Sequence, residues 1–227
     1  LVFSSSATVY GDPKEVPIKE DAKRFATNPY GKTKLIIEDL LFDLARNQKS
    51  LSDNKWQIAL LRYFNPIGAH PTGFIGEDPK GIPNNLMPFI LKVAIGELAE
   101  LKVFGADYAT EDGTGKRDYI HVMDLAEGHV AALDWIFKQN DLDNICEAFN
   151  LGTGKSTSVL DLLTSFVKYT GAKVAYSIAE RRSGDIAECY ADPSLASNIL
   201  NWKAKRSLKE MIEDGWKWQK ANPQGFN

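Results

Sequence analysis

The chain opens on a short apolar run, Leu1-Val2-Phe3, that passes at once into Ser4-Ser5-Ser6-Ala7-Thr8-Val9-Tyr10-Gly11. Three apolar residues are too few for a core helix and suit the end of a buried parallel strand, where α/β proteins carry their reactive groups. Farther on, Asn28-Pro29-Tyr30-Gly31-Lys32-Thr33-Lys34 supplies a helix start, a capping-type residue followed by proline at the first helical position. Tyr30 and Lys34 lie four apart and so share a helical face, with Cβ atoms about 5–6 Å apart. A phenol ordinarily ionises at a pH of about 10, and an ammonium on the next turn favours its anion, which places this tyrosine as a base. Ser6, at the strand end, can add a neutral hydrogen bond to the same reacting hydroxyl. A tyrosine with a lysine four residues on is also a common accident of solvated helices; the serine-rich strand end is what raises it above accident.

With 227 residues, 44% of them hydrophobic and 25% charged, the chain has ample core-forming material for an ordinary globular protein. A net charge of −3 and the lack of any basic run argue against nucleic acid as a partner. No apolar stretch approaches the roughly 20 residues of a membrane helix. Cys146 and Cys189 are far apart, with no zinc-type spacing to a second cysteine or a histidine, so no metal is expected and the thiols should be reduced in a cytoplasmic setting.

The pattern along the chain is that of an α/β protein. Residues 9–28 read as a polar loop. The helix from Pro29 has an apolar side of Leu35, Ile36, Asp39, Leu40, Phe42, Leu44 and Ala45 and runs out near Gln48. Residues 57–63 form the next buried strand, ended by Asn65-Pro66. A helix is expected near 86–97, a strand at Leu101–Phe104, a helix capped by Asp124 through Lys138, and a strand at 147–152. Helices follow near 158–170, 192–200 and 207–221, with a strand near Val174–Ile178. Gly152-Thr153-Gly154-Lys155-Ser156-Thr157 ends like a phosphate-binding loop, but Phe149 stands where that motif needs glycine, so a tight strand-to-helix connection is expected instead. Thr110 breaks the motif in the same way for Gly115-Lys116.

Beyond the serine strand and Tyr-x-x-x-Lys, the informative blocks are Leu61-Arg62-Tyr63-Phe64-Asn65-Pro66, Gly81-Ile82-Pro83-Asn84-Asn85-Leu86-Met87-Pro88, Gly115-Lys116-Arg117-Asp118-Tyr119-Ile120-His121-Val122 and Arg181-Arg182-Ser183-Gly184-Asp185. On these the chain resembles, along its whole length, the C-terminal two thirds of the UDP-galactose (UDP-glucose) 4-epimerase family, in the extended short-chain dehydrogenase/reductase superfamily. The resemblance implies the C-terminal part of a Rossmann-type doubly wound parallel sheet plus a smaller α/β substrate-binding domain. Residues 1–64 would belong to the NAD-binding part, rejoined by 118–152, and 65–227 would bind the nucleotide-sugar. Members begin with a glycine-rich turn that holds the cofactor pyrophosphate; none is present here, so the chain reads as a fragment lacking most of the dinucleotide-binding half. A bared strand edge at Leu1-Val2-Phe3 would make such a fragment poorly soluble.

The resemblance further implies reversible 4-epimerisation of UDP-galactose and UDP-glucose, with NAD as a retained prosthetic group. In that reading Tyr30 takes the 4-hydroxyl proton as hydride leaves the carbon, Ser6 bonds the same oxygen, and Lys34 holds nicotinamide-ribose hydroxyls while tuning Tyr30. Phe64 would join Ser6, Tyr30 and Lys34 around the cofactor. Arg117 and Arg182 would clamp the diphosphate, Asn65, Asn85 and Leu86 line its path, Val103 and Phe104 meet uracil, and Asp185 take ribose hydroxyls. Arginine suits phosphate because its planar fork bonds two oxygens at once. Cys189 falls against the hexose, where a small side chain leaves room for an N-acetyl group and extends the range to UDP-N-acetylhexosamines. By family habit the full-length protein would be a homodimer.

Each residue has a plainer reading. Arg181 and Arg182 could be surface charges, Phe104 a core residue, His121 a satisfied structural histidine and Asp118 an orienting group, while His70 and His129 lack metal-like partners. A nucleotide-sugar 4,6-dehydratase shares the fold and first oxidation, but in that family an Asp-Glu pair follows the strand hydroxyl, whereas Ala7-Thr8 follows Ser6 here. A nucleotide-sugar decarboxylase matches the later blocks less well, and a noncatalytic nucleotide-sugar sensor could retain Ser6, Tyr30 and Lys34.

Overall fold

A computed structural model describes residues 1–46, 55–139, 144–182 and 184–226. In chain order its elements are β1 (Val2–Ser6), a 3-10 turn (Ala7–Tyr10), α1 (Pro29–Arg46), β2 (Gln57–Tyr63), β3 (Asn65–Ile67), α2 (Leu86–Ala94), β4 (Leu101–Phe104), β5 (Lys116–Arg117) and β6 (Tyr119–His121). There follow α3 (Val122–Phe137), β7 (Ile145–Leu151), β8 (Thr157–Ser158), α4 (Val159–Thr170), β9 (Tyr176–Ala179), β10 (Glu188–Cys189), α5 (Ser194–Leu200) and α6 (Leu208–Ala221). The expected end of α1 near Gln48 lies outside the described residues.

The chain divides into two compact units, one of residues 1–64, 124–155 and 189–204, the other of 65–123, 156–188 and 205–227. In the first, β1, β2 and β7 form a parallel sheet in the order β1-β2-β7. Its register places Ser5 opposite Arg62 and Arg62 opposite Asn150, and one residue on, Ser6 opposite Tyr63 and Tyr63 opposite Leu151. Since side chains alternate along a strand, these two rows face opposite sides. The Ser5–Arg62–Asn150 row faces α1, through Glu38; the other faces α3, where Tyr63 meets His129 and a Cβ at Gly128 would touch Leu151. Helices cover both faces, as a doubly wound sheet requires. Ile58, Leu60 and Ala148 pack with Leu41 and Ala45 on the α1 side. On the α3 side, Trp135 meets Phe149 edge-on, and Trp202 donates its indole N–H to the Asp124 carbonyl at 3.0 Å.

Local chemistry sets the helix ends. Asn28 caps α1, its Oδ1 accepting from Gly31 N at 2.8 Å. α3 begins two residues before the expected Asp124 cap, because His121 Nδ1 accepts from Met123 N at 3.0 Å and does the capping itself. α4 is capped by Ser158 and ends on Gly171 at φ 69°, and α6 starts on a capping box of Ser207 and Glu210. The turn at 152–157 is the tight connection expected, from β7 through two-residue β8 into α4.

Two expectations need correction. The apolar stripe assigned to α1 is only partly its buried side: the buried residues are Gly31, Glu38, Leu41 and Ala45, while Ile36 and Leu40 are 65% and 61% exposed. Nor is 9–28 simply a polar loop. Val9, Tyr10 and Ile18 are buried with Ala7, Phe64 and Ala191, and Ile18 bridges to Ala191.

The second unit is built on short pairs: β3 with β6 and β4 with β9, both parallel, and β5 antiparallel to β8. Its core is contiguous, with Met87, Ile90 and Leu91 of α2, Leu101 and Val103 of β4, Leu162 and Phe166 of α4, and Met211 and Ile212 of α6. Among the described residues no helix is long and apolar enough to cross a membrane.

Candidate active site

Within the first unit, the end of β1 and the start of α1 bring Ser6, Tyr30 and Lys34 together. Ser6 Oγ accepts from Thr8 N at 3.2 Å and Thr8 Oγ1 at 3.0 Å, which leaves its own O–H to donate. Tyr30 is 56% exposed, so its phenol can be reached from solvent. Lys34 Nζ lies 5.6 Å from the Tyr30 ring centroid and donates to the Ser4 carbonyl at 2.9 Å. The ammonium is thereby held beside the phenol and on the strand that carries Ser6.

Ser4 is held from its other side. His129 Nδ1 faces the Leu125 carbonyl at 2.8 Å and so carries a proton, leaving Nε2 to accept from the Tyr63 hydroxyl. Tyr63 in turn shares a 2.7 Å hydrogen bond with the Ser4 hydroxyl. Burial pushes the Tyr63 phenol above its ordinary value; the Ser4 bond opposes this and the nearby Tyr30 adds to it. His129 is thus a structural partner of this strand end. Phe64 has its side chain in the Val9–Tyr10–Ile18 cluster and its amide on the Leu151 carbonyl at 3.3 Å. Cys189 is half-buried and packs on the same cluster.

A polar network under Ser6 was not anticipated from the motifs. Glu38, fully buried, accepts from Arg62 Nε at 3.0 Å, Arg62 Nη2 at 2.8 Å, Arg24 Nη1 at 3.1 Å and the Ser5 hydroxyl. Arg62 Nη1 donates to the Tyr10 hydroxyl at 2.9 Å and the Glu20 carbonyl at 2.8 Å. Tyr10 donates to Asn150 Oδ1 at 2.7 Å. Burial raises the Glu38 carboxyl, but the Arg62 bonds and charge, with Ser5 and Arg24, outweigh it and hold it below the ordinary carboxylate range. Burial, helped by the charges of Glu20 and Glu38, carries the Tyr10 phenol up to about 12, against the pull of Arg62. The signal for this network was in view: a lone arginine inside the apolar run 57–63 is a buried charge, and a buried charge needs a partner.

The second unit gathers the expected recognition residues. Arg182 lies over the Phe104 ring, 3.8 Å from its centroid, and both it and Asp185 are exposed; Ser183 lies outside the described residues. Arg117 Nη1 donates to the Lys116 and Ile186 carbonyls, both at 2.9 Å, and Nη2 stands 3.9 Å from Asp185. Val103 has its side chain in the core, 1% exposed, beside the more accessible Phe104. Asn85 and Leu86 start α2, and Asn85 hydrogen-bonds Glu77, whose carboxyl burial pushes up against that bond. Asn65 is exposed, its amide on the Asp118 carbonyl at 2.9 Å. His121 is buried and satisfied, with Nε2 3.2 Å from Asp214.

Known proteins resemble this chain along its whole length. The chain is 57% identical to the UDP-glucose 4-epimerase of Bacillus subtilis over 100% of its own length and 64% of that protein's. Its fold is similar to the UDP-glucose 4-epimerase of Stenotrophomonas maltophila solved with NAD and formylated UDP-arabinopyranose, with TM-score 0.92 and 51% identity over 99% of this chain and 64% of that one. The Bifidobacterium longum UDP-glucose 4-epimerase solved with NAD+ and UDP gives TM-score 0.90 at 51% identity, over the same shares. The chain therefore spans about 64% of the length of these relatives. The family model described as GDP-mannose 4,6 dehydratase matches residues 1–215, and the chain belongs to that family.

Proposed function

We propose that the protein containing this chain is an NAD-dependent UDP-glucose 4-epimerase, with the first unit contributing to chemistry and the second to recognition of the UDP-sugar. The observation that carries this is the Tyr30–Lys34 pair, with Lys34 bonded to the strand that ends in Ser6. Tyr30 removes the proton of the sugar 4-hydroxyl and returns it; Ser6 donates its free O–H to the same oxygen. NAD, when bound, supplies the hydride acceptor and donor that no side chain can provide. The donor set fits that group: Lys34 would hold its ribose hydroxyls, alongside Ser6, Tyr30 and Phe64.

Inversion at carbon 4 requires the hexose to present its other face, so the nucleotide must be gripped and the sugar held loosely. Arg117 and Arg182 serve the diphosphate, Asn65, Asn85 and Leu86 its path, Phe104 the base, backed by the core side chain of Val103, and Asp185 the ribose. The compact Cys189 extends the range to N-acetylated hexoses. The protein works in the cytoplasm as a homodimer.

A 4,6-dehydratase is the reading the family model's description favours. Elimination needs carboxylates after the strand hydroxyl, and here Ala7 is buried and Thr8 is bonded to Ser6. The test is to purify the intact protein without added cofactor and supply UDP-galactose. UDP-glucose formed without added NAD supports the proposal; a keto-deoxy sugar moves it to the dehydratase, and nucleotide-sugar binding without turnover moves it to a sensor.

A further inference from the structure

We infer that Glu38 is a positioning residue for the reaction proposed above, on which this inference rests: its clamp on Ser5 and Arg62 sets where Tyr30 and Lys34 stand relative to Ser6. The first half of α1 is held by few contacts, among them half-buried Leu35 on the cluster of Ala7, Val9 and Tyr10. Between Pro29 and Leu41 the helix buries only Gly31 and Glu38. Both reach the chain immediately around Ser6. A Cβ built on Gly31 would lie 2.8 Å from the Thr8 carbonyl oxygen, so the helix lies directly on the residue that also bonds Ser6. Glu38 accepts from the hydroxyl of Ser5, the residue just before Ser6. Lys34 falls between these two anchors, one turn before Glu38, and bonds Ser4.

The clamp is stiff. A carboxylate that accepts two parallel bonds from one guanidinium has its direction fixed as well as its distance. Arg62 is itself fixed, through Tyr10 to Asn150 on β7, so Glu38 references the helix to all three strands of the sheet. The outer face of α1 leaves Ile36 and Leu40 exposed. Glu38 touches neither Tyr30 nor Ser6 in any hydrogen bond described, and acts through the backbone of α1 and β1. Misplacing a reacting group by about 1 Å can cost roughly a hundredfold in rate, so such a clamp belongs to the reaction as well as to the fold.

The test uses the intact protein with retained nucleotide and two variants, Ser5→Ala, which leaves the ion pair in place, and Glu38→Gln, which keeps the shape and removes the charge. Two readouts are taken on folded protein: kcat and KM for UDP-galactose, and amide hydrogen exchange at residues 30–38. The expected result is a fall in kcat of about tenfold or more for Ser5→Ala, at unchanged KM, with faster exchange at 30–38 and none on β2 or β7. Glu38→Gln moves further in the same direction; if it does not fold, Ser5→Ala decides alone. Unchanged kcat in folded Ser5→Ala overturns the inference whatever the exchange shows. If the wild-type protein does not turn over UDP-galactose, the proposed reaction has failed, and exchange alone decides the positioning: faster at 30–38 upholds it, unchanged overturns it.

Discussion

Lys34 donates its ammonium to the backbone carbonyl of Ser4 at 2.9 Å, tying the helix that carries Tyr30 to the strand that ends in Ser6. A backbone acceptor is not removed by changing the Ser4 side chain, so this tie between helix and strand survives substitution at Ser4.

Tyr30→Phe in the intact protein should lower kcat by about 10²–10⁴-fold, the usual worth of a general base, with KM nearly unchanged. Tyr30 is more than half exposed, so thermal melting should be unaffected. Steady-state kinetics beside a melt check this; a parallel loss of stability would place Tyr30 in the fold instead.

Gly31→Ala should be harmful. Alanine in a helix interior is ordinarily favoured over glycine by about 1 kcal/mol. Here the new methyl would meet the Thr8 carbonyl oxygen at 2.8 Å and Ala26 Cβ at 3.1 Å, so the helix must shift off the strand. Both Tm and kcat should fall, and a raised Tm would show that the helix does not rest on Thr8.

The pH dependence of stability should carry the mark of Glu38. Its carboxyl is held below the ordinary value in the folded protein, so the unfolded chain binds more protons in the acid range. The contribution is therefore complete above the ordinary carboxylate value and is lost as pH falls through the lowered one. Glu20, raised first by burial, has the opposite sign: its contribution is present in acid and lost as pH rises through its raised value. Denaturant titrations of wild type and Glu38→Gln isolate the Glu38 contribution. The variant should be less stable by about 3–5 kcal/mol near neutrality, because Arg62 is left buried without its partner, and the gap should narrow below pH of about 4.

Cys189→Tyr should abolish turnover of UDP-N-acetylhexosamines while sparing UDP-galactose. Activity on the two substrates, measured side by side, checks this; equal loss would remove Cys189 from the specificity argument.

The elements with local signals were legible in the sequence. β2 and β4 fall at their expected residues, α1 starts behind Asn28 as expected, and α4 and α6 cover the ranges expected for them. What escaped was set by distant partners. α1 has apolar residues on more than one side, so periodicity could not say that Glu38 faces the sheet and Leu40 faces out. That choice is made by Arg62, which stands 24 positions away, and the burial of Ile18 is likewise made by Ala191. Tyr30 and Lys34 share a helical face, as their spacing of four requires, because that spacing is itself the geometry. Glu38 was not legible in this way, because only the folded sheet supplies its donors.

The 3-10 turn after Ser6 bears on the choice between the proposed epimerisation and elimination. Position 7 faces the packed cluster of Val9, Tyr10, Ile18 and Phe64. An evolutionary or engineered change from epimerisation to elimination would have to install a carboxylate there, and it would arrive unpaired in an apolar interior. On the proposed reaction, a switch to elimination would therefore ask for new packing beneath the turn as well as new side chains on it.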